Sequence, residues 1–140
     1  MPVFSSVEWF QEAADRLNRS DSFARLGTCD ASMGVQVGDS CFAIVFAAFA
    51  ITSVDEIDCA AAGDLDFTLV QPPDEWRAMI ENIKANGAAQ SVYTLNSLDL
   101  QTEDGFALGA DYTRRDLFYR YNQTFQDYFD TSAEMETTFA

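Results

Sequence analysis

The chain contains no histidine, and this absence excludes more chemistry than any other feature of its 140 residues. Histidine exchanges protons most readily near neutral pH, and it is the commonest nitrogen ligand of protein-bound metals. The sequence also has neither a G-x-S-x-G motif nor a phosphate-binding glycine loop. We therefore expect no catalytic residue, no metal site and no cofactor, and a binding protein rather than an enzyme.

Basic side chains are scarce. Eight Lys and Arg stand against 23 Asp and Glu, which gives a formal net charge of -15. Binding to nucleic acid phosphates or to anionic lipid headgroups depends on Lys and Arg. The composition therefore predicts no nucleic-acid partner, and it favours an apolar small-molecule ligand or a basic protein partner.

Long apolar segments are missing as well. The longest, Cys41 to Ile51, is about half as long as a helix that crosses a bilayer. The first residues lack the basic segment and the apolar run of a secretory signal. We therefore expect no membrane span and a cytoplasmic location.

Cysteine is rare, and its three positions, Cys29, Cys41 and Cys59, are widely spaced. An odd number of cysteines without a C-x-x-C pair is not typical of a zinc site or of a disulfide framework. Cytoplasmic thiols are usually reduced, so the sequence predicts three buried free cysteines.

Apolar periodicity predicts the order of helices and strands. Helical spacing after a serine cap indicates a helix from Ser6 to Arg19, and alternation over 31–37 indicates a strand that turns at Gly38-Asp39. The further predicted elements are a central strand over 41–52, strands at about 54–60 and 65–70, and helices at about 73–86 and 113–130. Residues 131–140 show little periodicity and are expected to fray.

This order predicts an α+β fold. The length suits a single domain over residues 1–140. An antiparallel meander of about four to five strands is expected to be covered by helices on one face.

Aromatic side chains are plentiful, with 12 Phe, 5 Tyr and 2 Trp. Those on the central strand and on the two later helices are expected to meet between the helices and the sheet. They form either an ordinary core or the wall of a cavity for an apolar ligand, since aromatic and methionine side chains line such pockets. The candidate lining residues are Phe46, Phe49, Trp76, Met79, Phe118, Tyr121 and Phe125.

The main concentration of basic residues comprises Arg114, Arg115 and Arg120. Arginines in such an acidic sequence usually pair with neighbouring acids, here Asp111 and Asp116. The other interpretation is an anchor for a carboxylate or phosphate group of a ligand.

An N-terminal helix is followed by a hairpin around Gly38-Asp39, a meander that reaches Asp66-Phe67-Thr68-Leu69, and a helix that begins Pro73-Asp74-Glu75-Trp76. This layout resembles the sterol carrier protein 2 family, in which the segment corresponding to 67–69 is the last strand before a helix. The resemblance implies an apolar tunnel between helices and sheet that holds sterols, fatty acyl chains or similar lipids, without a covalent cofactor. After Gly87 the chain departs from the family pattern.

We expect the protein to hold an apolar small molecule of the lipid, sterol or acyl type in a cavity between helices and sheet. One alternative is a non-catalytic acidic subunit that docks a basic enzyme, which an exposed patch of Tyr119, Tyr121 and Tyr128 would favour. Another is an isomerase-type enzyme without histidine that uses a buried Asp66 or Asp99 on a hydrophobic substrate.

Overall fold

The structure, a computed structural model, describes residues 3–20, 29–48, 50–90, 93–95, 98, 107, 108, 113 and 116–139, with only the backbone described at 107 and 108. The described strands are β1 (Val3–Phe4), β2 (Ala31–Val37), β3 (Ser40–Ala47), β4 (Ala50–Ile57), β5 (Phe67–Gln71), β6 (Ala107–Leu108) and β7 (Thr138–Phe139). The described helices are α1 (Val7–Asn18), α2 (Pro73–Asn86), α3 (Leu117–Arg120) and α4 (Asn122–Asp130), with 3-10 helices at Cys59–Asp64 and Thr131–Glu134. This combination confirms the predicted α+β class.

Five of the described strands form the main sheet, in the order β4–β3–β2–β5–β6. The strands β2, β3 and β4 follow one another as the predicted antiparallel meander. The chain then crosses through the 3-10 helix at Cys59–Asp64 to the other side of β2, so β5 runs parallel to β2. The prediction of a purely antiparallel sheet was therefore wrong at β5, because alternation along a strand does not reveal which strand lies beside it.

A turn divides the segment predicted as a central strand over 41–52. Ala48 has a positive φ of 55°, and the chain reverses there from β3 into β4. The N–H of Ala48 donates to Asp30 Oδ1 at 2.9 Å, and its carbonyl accepts from the N–H of Cys29 at 2.8 Å. Residues that precede β2 thus stabilise a turn that the local sequence, without glycine or proline, did not indicate.

The helices cover one face of the sheet, as predicted, and we call this face the inner face. Alternate residues of β2, at positions 31, 33, 35 and 37, lie on it and are buried. Helix α1 begins at the predicted serine cap, Ser6. Its Phe10 ring lies 4.5 Å from the ring of Phe42 on β3. The core therefore lies between the helices and the inner face.

The two later helices occupy their predicted positions. Helix α2 begins at Pro73 and ends at Gly87, whose positive φ of 83° suits glycine. The helix predicted over 113–130 is interrupted at Tyr121, which separates α3 from α4. Among the described residues, none of the helices combines the length and the apolar character that a membrane crossing requires.

Cys41 and Cys59 form a disulfide, with their Cα atoms 5.2 Å apart. The prediction of three free thiols was therefore wrong for this pair. Cys59 opens the crossover shortly after β4, and β4 pairs with the strand that contains Cys41. Strand pairing thus brings together two residues that are 18 positions apart in the chain. Cys29 is buried and free, as predicted.

The C-terminal residues were predicted to fray, and this prediction was wrong for the described residues. The 3-10 helix at Thr131–Glu134 is followed by Met135, which is fully buried. Lys84 Nζ donates to the carbonyls of Ala133 and Met135 at 3.1 and 2.9 Å. Strand β7 then pairs in parallel with β1, and we call this pair the terminal ribbon. One buried methionine and a two-residue strand are too short to produce a periodic pattern in the sequence.

Candidate functional site

The six candidate lining residues that the structure describes fall into two groups, and the first lies around Phe125 on α4. The Phe125 ring is 5.2 Å from the ring of Phe46 and 5.0 Å from that of Phe67. The Phe118 ring is 5.7 Å from Phe67, and the Tyr121 ring is 6.5 Å from Phe125. These separations are typical of aromatic rings in direct contact. The first group is therefore a packed aromatic cluster between α4 and the sheet.

The second group consists of Trp76 and Met79 on α2, both fully buried. The Trp76 ring stacks on Phe129 at 5.4 Å and lies 6.3 Å from the ring of Phe4. Its indole N–H donates to the carbonyl of Gln36 at 2.8 Å. Trp76 is thereby held against the end of β2, close to the terminal ribbon.

A cavity of about 230 Å³ lies beside this second group, and we call it the terminal cavity. It exceeds the apolar cavity of about 150 Å³ that is known to admit benzene. Its walls come from the terminal ribbon, the end of β2 and the first turns of α2. The lining residues are Phe4, Ser5, Val37, Pro73, Asp74, Arg77 and Phe139. Four of the seven are apolar, and Ser5, Asp74 and Arg77 add polar and charged groups, so the walls present both apolar and polar surface to a ligand.

The charged groups at the terminal cavity belong to α2. The Arg77 guanidinium lies 4.6 Å from the centre of the Phe139 ring, and its Nε is 3.1 Å from Glu81 Oε1. Asp74 is exposed in the first turn of the helix. The one cation among the described walls is thus already paired. In a protein of net charge -15, this arrangement favours an uncharged ligand over an anion.

A second cavity, of about 240 Å³, lies between α1, α4 and the 3-10 helix that follows α4. Its walls include Arg16, Asp127, Asp130 and Glu134. Arg16 lies 3.4 Å from Glu12 and 4.0 Å from Glu134. In the part of the chain that the structure describes, no group of three His, Cys, Asp or Glu could hold a metal ion. This cavity is a site of surface ion pairing rather than an apolar pocket.

Asp130 connects this cavity to the chain that follows α2. Its Oδ1 accepts from the N–H of Ala89 at 3.1 Å and from Gln126 Nε2 at 2.9 Å. Gln126 Oε1 accepts from the N–H of Leu95 at 2.8 Å. Burial raises the pKa of the Asp130 carboxyl, and the charge of Asp127 raises it further, while the two hydrogen bonds act in the opposite direction.

Asp130→Asn is expected to raise the free energy of unfolding at pH 7, whereas Asp130→Ala should lower it by about 1–3 kcal/mol. The asparagine oxygen keeps both accepted bonds without a buried charge, while alanine leaves the N–H of Ala89 without its acceptor. Because the folded pKa is raised, the carboxyl's contribution to stability is present at low pH and is lost as the pH rises through the folded pKa. Urea unfolding at pH 7 and at about pH 4 should show the asparagine advantage shrinking at the lower pH. An asparagine variant less stable than wild type at pH 7 would contradict this account.

The other candidate residues lie apart from the terminal cavity. Arg120 is exposed and lies 5.4 Å from the centre of the Tyr121 ring. Asp66 Oδ2 accepts from the N–H of Ser32 at 2.7 Å, so this carboxylate stabilises the approach to β5. Five of the residues singled out from the sequence lie outside the described residues: Phe49, Asp99, Asp111, Arg114 and Arg115.

The three tyrosines whose joint exposure would favour an accessory subunit differ in their burial. Tyr119 is 45% exposed, and Tyr121 is half-buried. Tyr128 is fully buried, and its hydroxyl donates to the carbonyl of Phe10 at 2.8 Å. These three tyrosines therefore do not form the exposed patch that would favour an accessory subunit.

Sequence reasoning missed the principal walls of the terminal cavity. Phe4 and Phe139 lie near the two ends of the chain, where neither helical nor strand periodicity is long enough to detect. Val37 was predicted as a buried strand residue but not as part of a site. The available signal was a bulky aromatic residue near each end of the chain, which suggests that both ends are anchored.

No protein-family model, curated protein or solved structure matches this chain. Its function is therefore argued from its own residues and their geometry.

Proposed function

We propose that the protein binds an apolar small molecule of the lipid, sterol or acyl type, without transforming it, and that this molecule enters at the terminal cavity. The observation that carries the proposal is a cavity of about 230 Å³ whose walls include the apolar side chains of Phe4, Val37, Pro73 and Phe139. Removing apolar surface from water drives such binding, and a few polar groups at the rim orient the ligand.

The terminal ribbon provides a route for a ligand longer than the cavity. Its two strands contain only two residues each, so few backbone hydrogen bonds hold it in place. Phe4 is both a wall of the cavity and a neighbour of Trp76, with ring centres 6.3 Å apart. Displacement of the ribbon would therefore expose Trp76, one of the predicted lining residues, to the ligand.

The order of elements supports the same proposal. Helix α1, the hairpin at Gly38, strand β5 and a helix that begins at Pro73 occur in the order on which the resemblance to the sterol carrier protein 2 family is based. That resemblance implies an apolar binding space between helices and sheet. Val37 lies on the inner face and Pro73 begins α2, so the terminal cavity lies at one end of the layer between the helices and the sheet.

The disulfide bears on where the protein functions. Disulfides persist in oxidising compartments and are rare in the cytosol. The Cys41–Cys59 pair therefore favours an oxidising compartment, and the cytoplasmic location stays a prediction.

An acidic accessory subunit is the competing function. Its support is the net charge of -15 and a groove along α1 that is lined by Glu8, Glu12 and Asp15, together with Val7 and Gln11. A basic protein that co-purifies with an otherwise ligand-free chain would favour this alternative over the proposed function.

Val37→Trp is expected to lower the affinity for decan-1-ol at least about tenfold, a loss of about 1.4 kcal/mol of binding free energy, because the indole fills the terminal cavity. Ala133→Trp is the matched control, since Ala133 lines the polar cavity of similar volume. Its affinity should equal that of wild type. Fluorescence of the tryptophans and native mass spectrometry measure binding, and circular dichroism verifies folding.

Two further measurements complete this test. Phe139→Glu places a charge on the opposite wall and should also weaken binding if Val37→Trp does not fold. Native mass spectrometry of gently purified wild-type protein, followed by organic extraction, should give a stoichiometric apolar adduct. Undiminished decan-1-ol binding by both cavity variants would reject the terminal cavity as the binding site.

A further inference from the structure

Gln71 occupies an unusual position on the inner face of the sheet. The register of β5 against β2 pairs Gln71 with Val37, so Phe67, Leu69 and Gln71 alternate on this face. Gln71 is only 6% exposed. Among the described strand residues that are buried on the inner face, it is the only polar one.

The amide of Gln71 has unused hydrogen-bonding capacity. Both Nε2 and Oε1 are buried, and neither has a hydrogen-bond partner among the described residues. Buried polar groups are nearly always paired, because an unpaired one lowers stability. Gln126 shows the usual arrangement: it is 9% exposed, accepts from Leu95 and donates to Asp130. An apolar side chain would complete the inner face at position 71, so the amide there suggests a partner from outside the fold.

Gln71 is not itself a wall of the terminal cavity, but two of its neighbours are. Val37, its partner in the register, is a wall of the cavity, and Pro73, two residues further along the chain, is another. The Trp76 indole donates to the carbonyl of Gln36, the residue before Val37. Gln71 and a predicted lining residue therefore lie at the same end of the sheet, where the cavity is.

We propose that the Gln71 side chain turns into the terminal cavity when a ligand binds, that its amide hydrogen-bonds the headgroup of the bound molecule, and that this headgroup is an uncharged hydroxyl. The inference rests on the proposed function and names its ligand class, an apolar alcohol. A hydroxyl both donates and accepts, so it can pair with Oε1 and Nε2. A carboxylate only accepts and would leave Oε1 unpaired. The one described cation at the cavity, Arg77, is already paired with Glu81.

Titration of the full chain with decane, decan-1-ol and decanoate tests the inference, since the three probes differ only at one end. Wild type is expected to bind decan-1-ol about tenfold more tightly than decane, in line with one or two additional hydrogen bonds. Decanoate should bind more weakly than decan-1-ol. Gln71→Leu removes the amide at nearly constant size, and it is expected to bind the alcohol no more tightly than the alkane. Native mass spectrometry and tryptophan fluorescence measure the affinities.

The outcomes separate this inference from the proposed function. If Gln71→Leu binds decan-1-ol as tightly as wild type while Val37→Trp does not bind it, the cavity is the site but Gln71 is not its polar contact. Tighter binding of decanoate than of decan-1-ol rejects an uncharged headgroup. If wild type binds none of the three probes, the proposed function and the inference both fail.

Stability provides a second readout. Gln71→Leu is expected to raise the urea midpoint, because it removes an unpaired buried amide. Gln126→Leu is the matched control and should lower the midpoint, because the N–H of Leu95 and the Asp130 carboxylate lose a partner. A Gln71→Leu protein that is less stable than wild type would show that the amide has a partner within the fold and would overturn the inference. Gln71→Met provides a second apolar variant for the same comparison.

Discussion

Phe125→Ala is expected to lower the free energy of unfolding by about 3–5 kcal/mol. Phe125 is fully buried, and its ring contacts those of Phe46 on β3 and Phe67 on β5. It therefore joins α4 to two strands of the sheet. Removal of the ring leaves a void that closely packed neighbours cannot close, so dispersion contacts are lost together with apolar burial. Urea unfolding monitored by circular dichroism measures the change.

Tyr119→Ala is the matched control for this substitution. Tyr119 lies on the neighbouring helix α3 and is 45% exposed, so the loss of its ring should change the free energy of unfolding by less than about 0.5 kcal/mol. Similar small losses in the two variants would contradict a packed aromatic cluster. They would instead indicate open space around Phe125. Such space is required if the lining residues predicted from the sequence surround a ligand cavity.

Reduction of the Cys41–Cys59 disulfide is expected to lower the free energy of unfolding by about 3 kcal/mol. The bond closes a loop between residues 18 positions apart, and the entropy of closing such a loop gives a contribution of this size. The disulfide also attaches the start of the crossover to the sheet, so its loss should loosen the connection between β4 and β5. Thermal unfolding with and without dithiothreitol measures the difference.

The double variant Cys41→Ala/Cys59→Ala is the control for the reductant. Its midpoint should be lower than that of the oxidised wild type, and it should not change when dithiothreitol is added. The remaining thiol, Cys29, is unreactive, because burial, with a smaller effect from the charge of Asp30, raises its pKa to about 12. A wild-type midpoint that dithiothreitol does not shift would show that the disulfide contributes no stability.

Elements with strong local signals agree with their sequence predictions. Ser6 caps α1, Pro73 begins α2, and Gly87 ends it. The hairpin turn uses Gly38 with a φ of 60°, which glycine adopts without steric cost. Each of these features depends on residues only a few positions apart, so it can be read from a short stretch of sequence.

Pairing between distant segments could not be read in the same way. The 67–71 segment has the composition of a strand, but nothing in it indicates that β2 is its parallel neighbour. The same applies to the disulfide and to the terminal ribbon, which joins the two ends of the chain. Each depends on the position to which the crossover or the last helices bring the segment that follows them.

Only part of the candidate site was predicted, because the rest depends on contacts between distant segments. Trp76 and Met79 were identified from helical spacing on α2, and both are buried in the core, with Trp76 against the cavity wall Phe4. The principal walls, Phe4 and Phe139, meet only because β1 and β7 pair. No periodicity within either short segment predicts that contact.

The sequence by itself determined the α+β class, the acidic surface and the exclusion of histidine chemistry, because composition and short-range periodicity act within single elements. Only the tertiary structure decided which strands are neighbours, which cysteines bond and where the two ends of the chain meet. It also placed the Gln71 amide on an apolar face without a hydrogen-bond partner among the described residues. Such outcomes depend on contacts between segments far apart in the chain, and no single segment contains the information that specifies them.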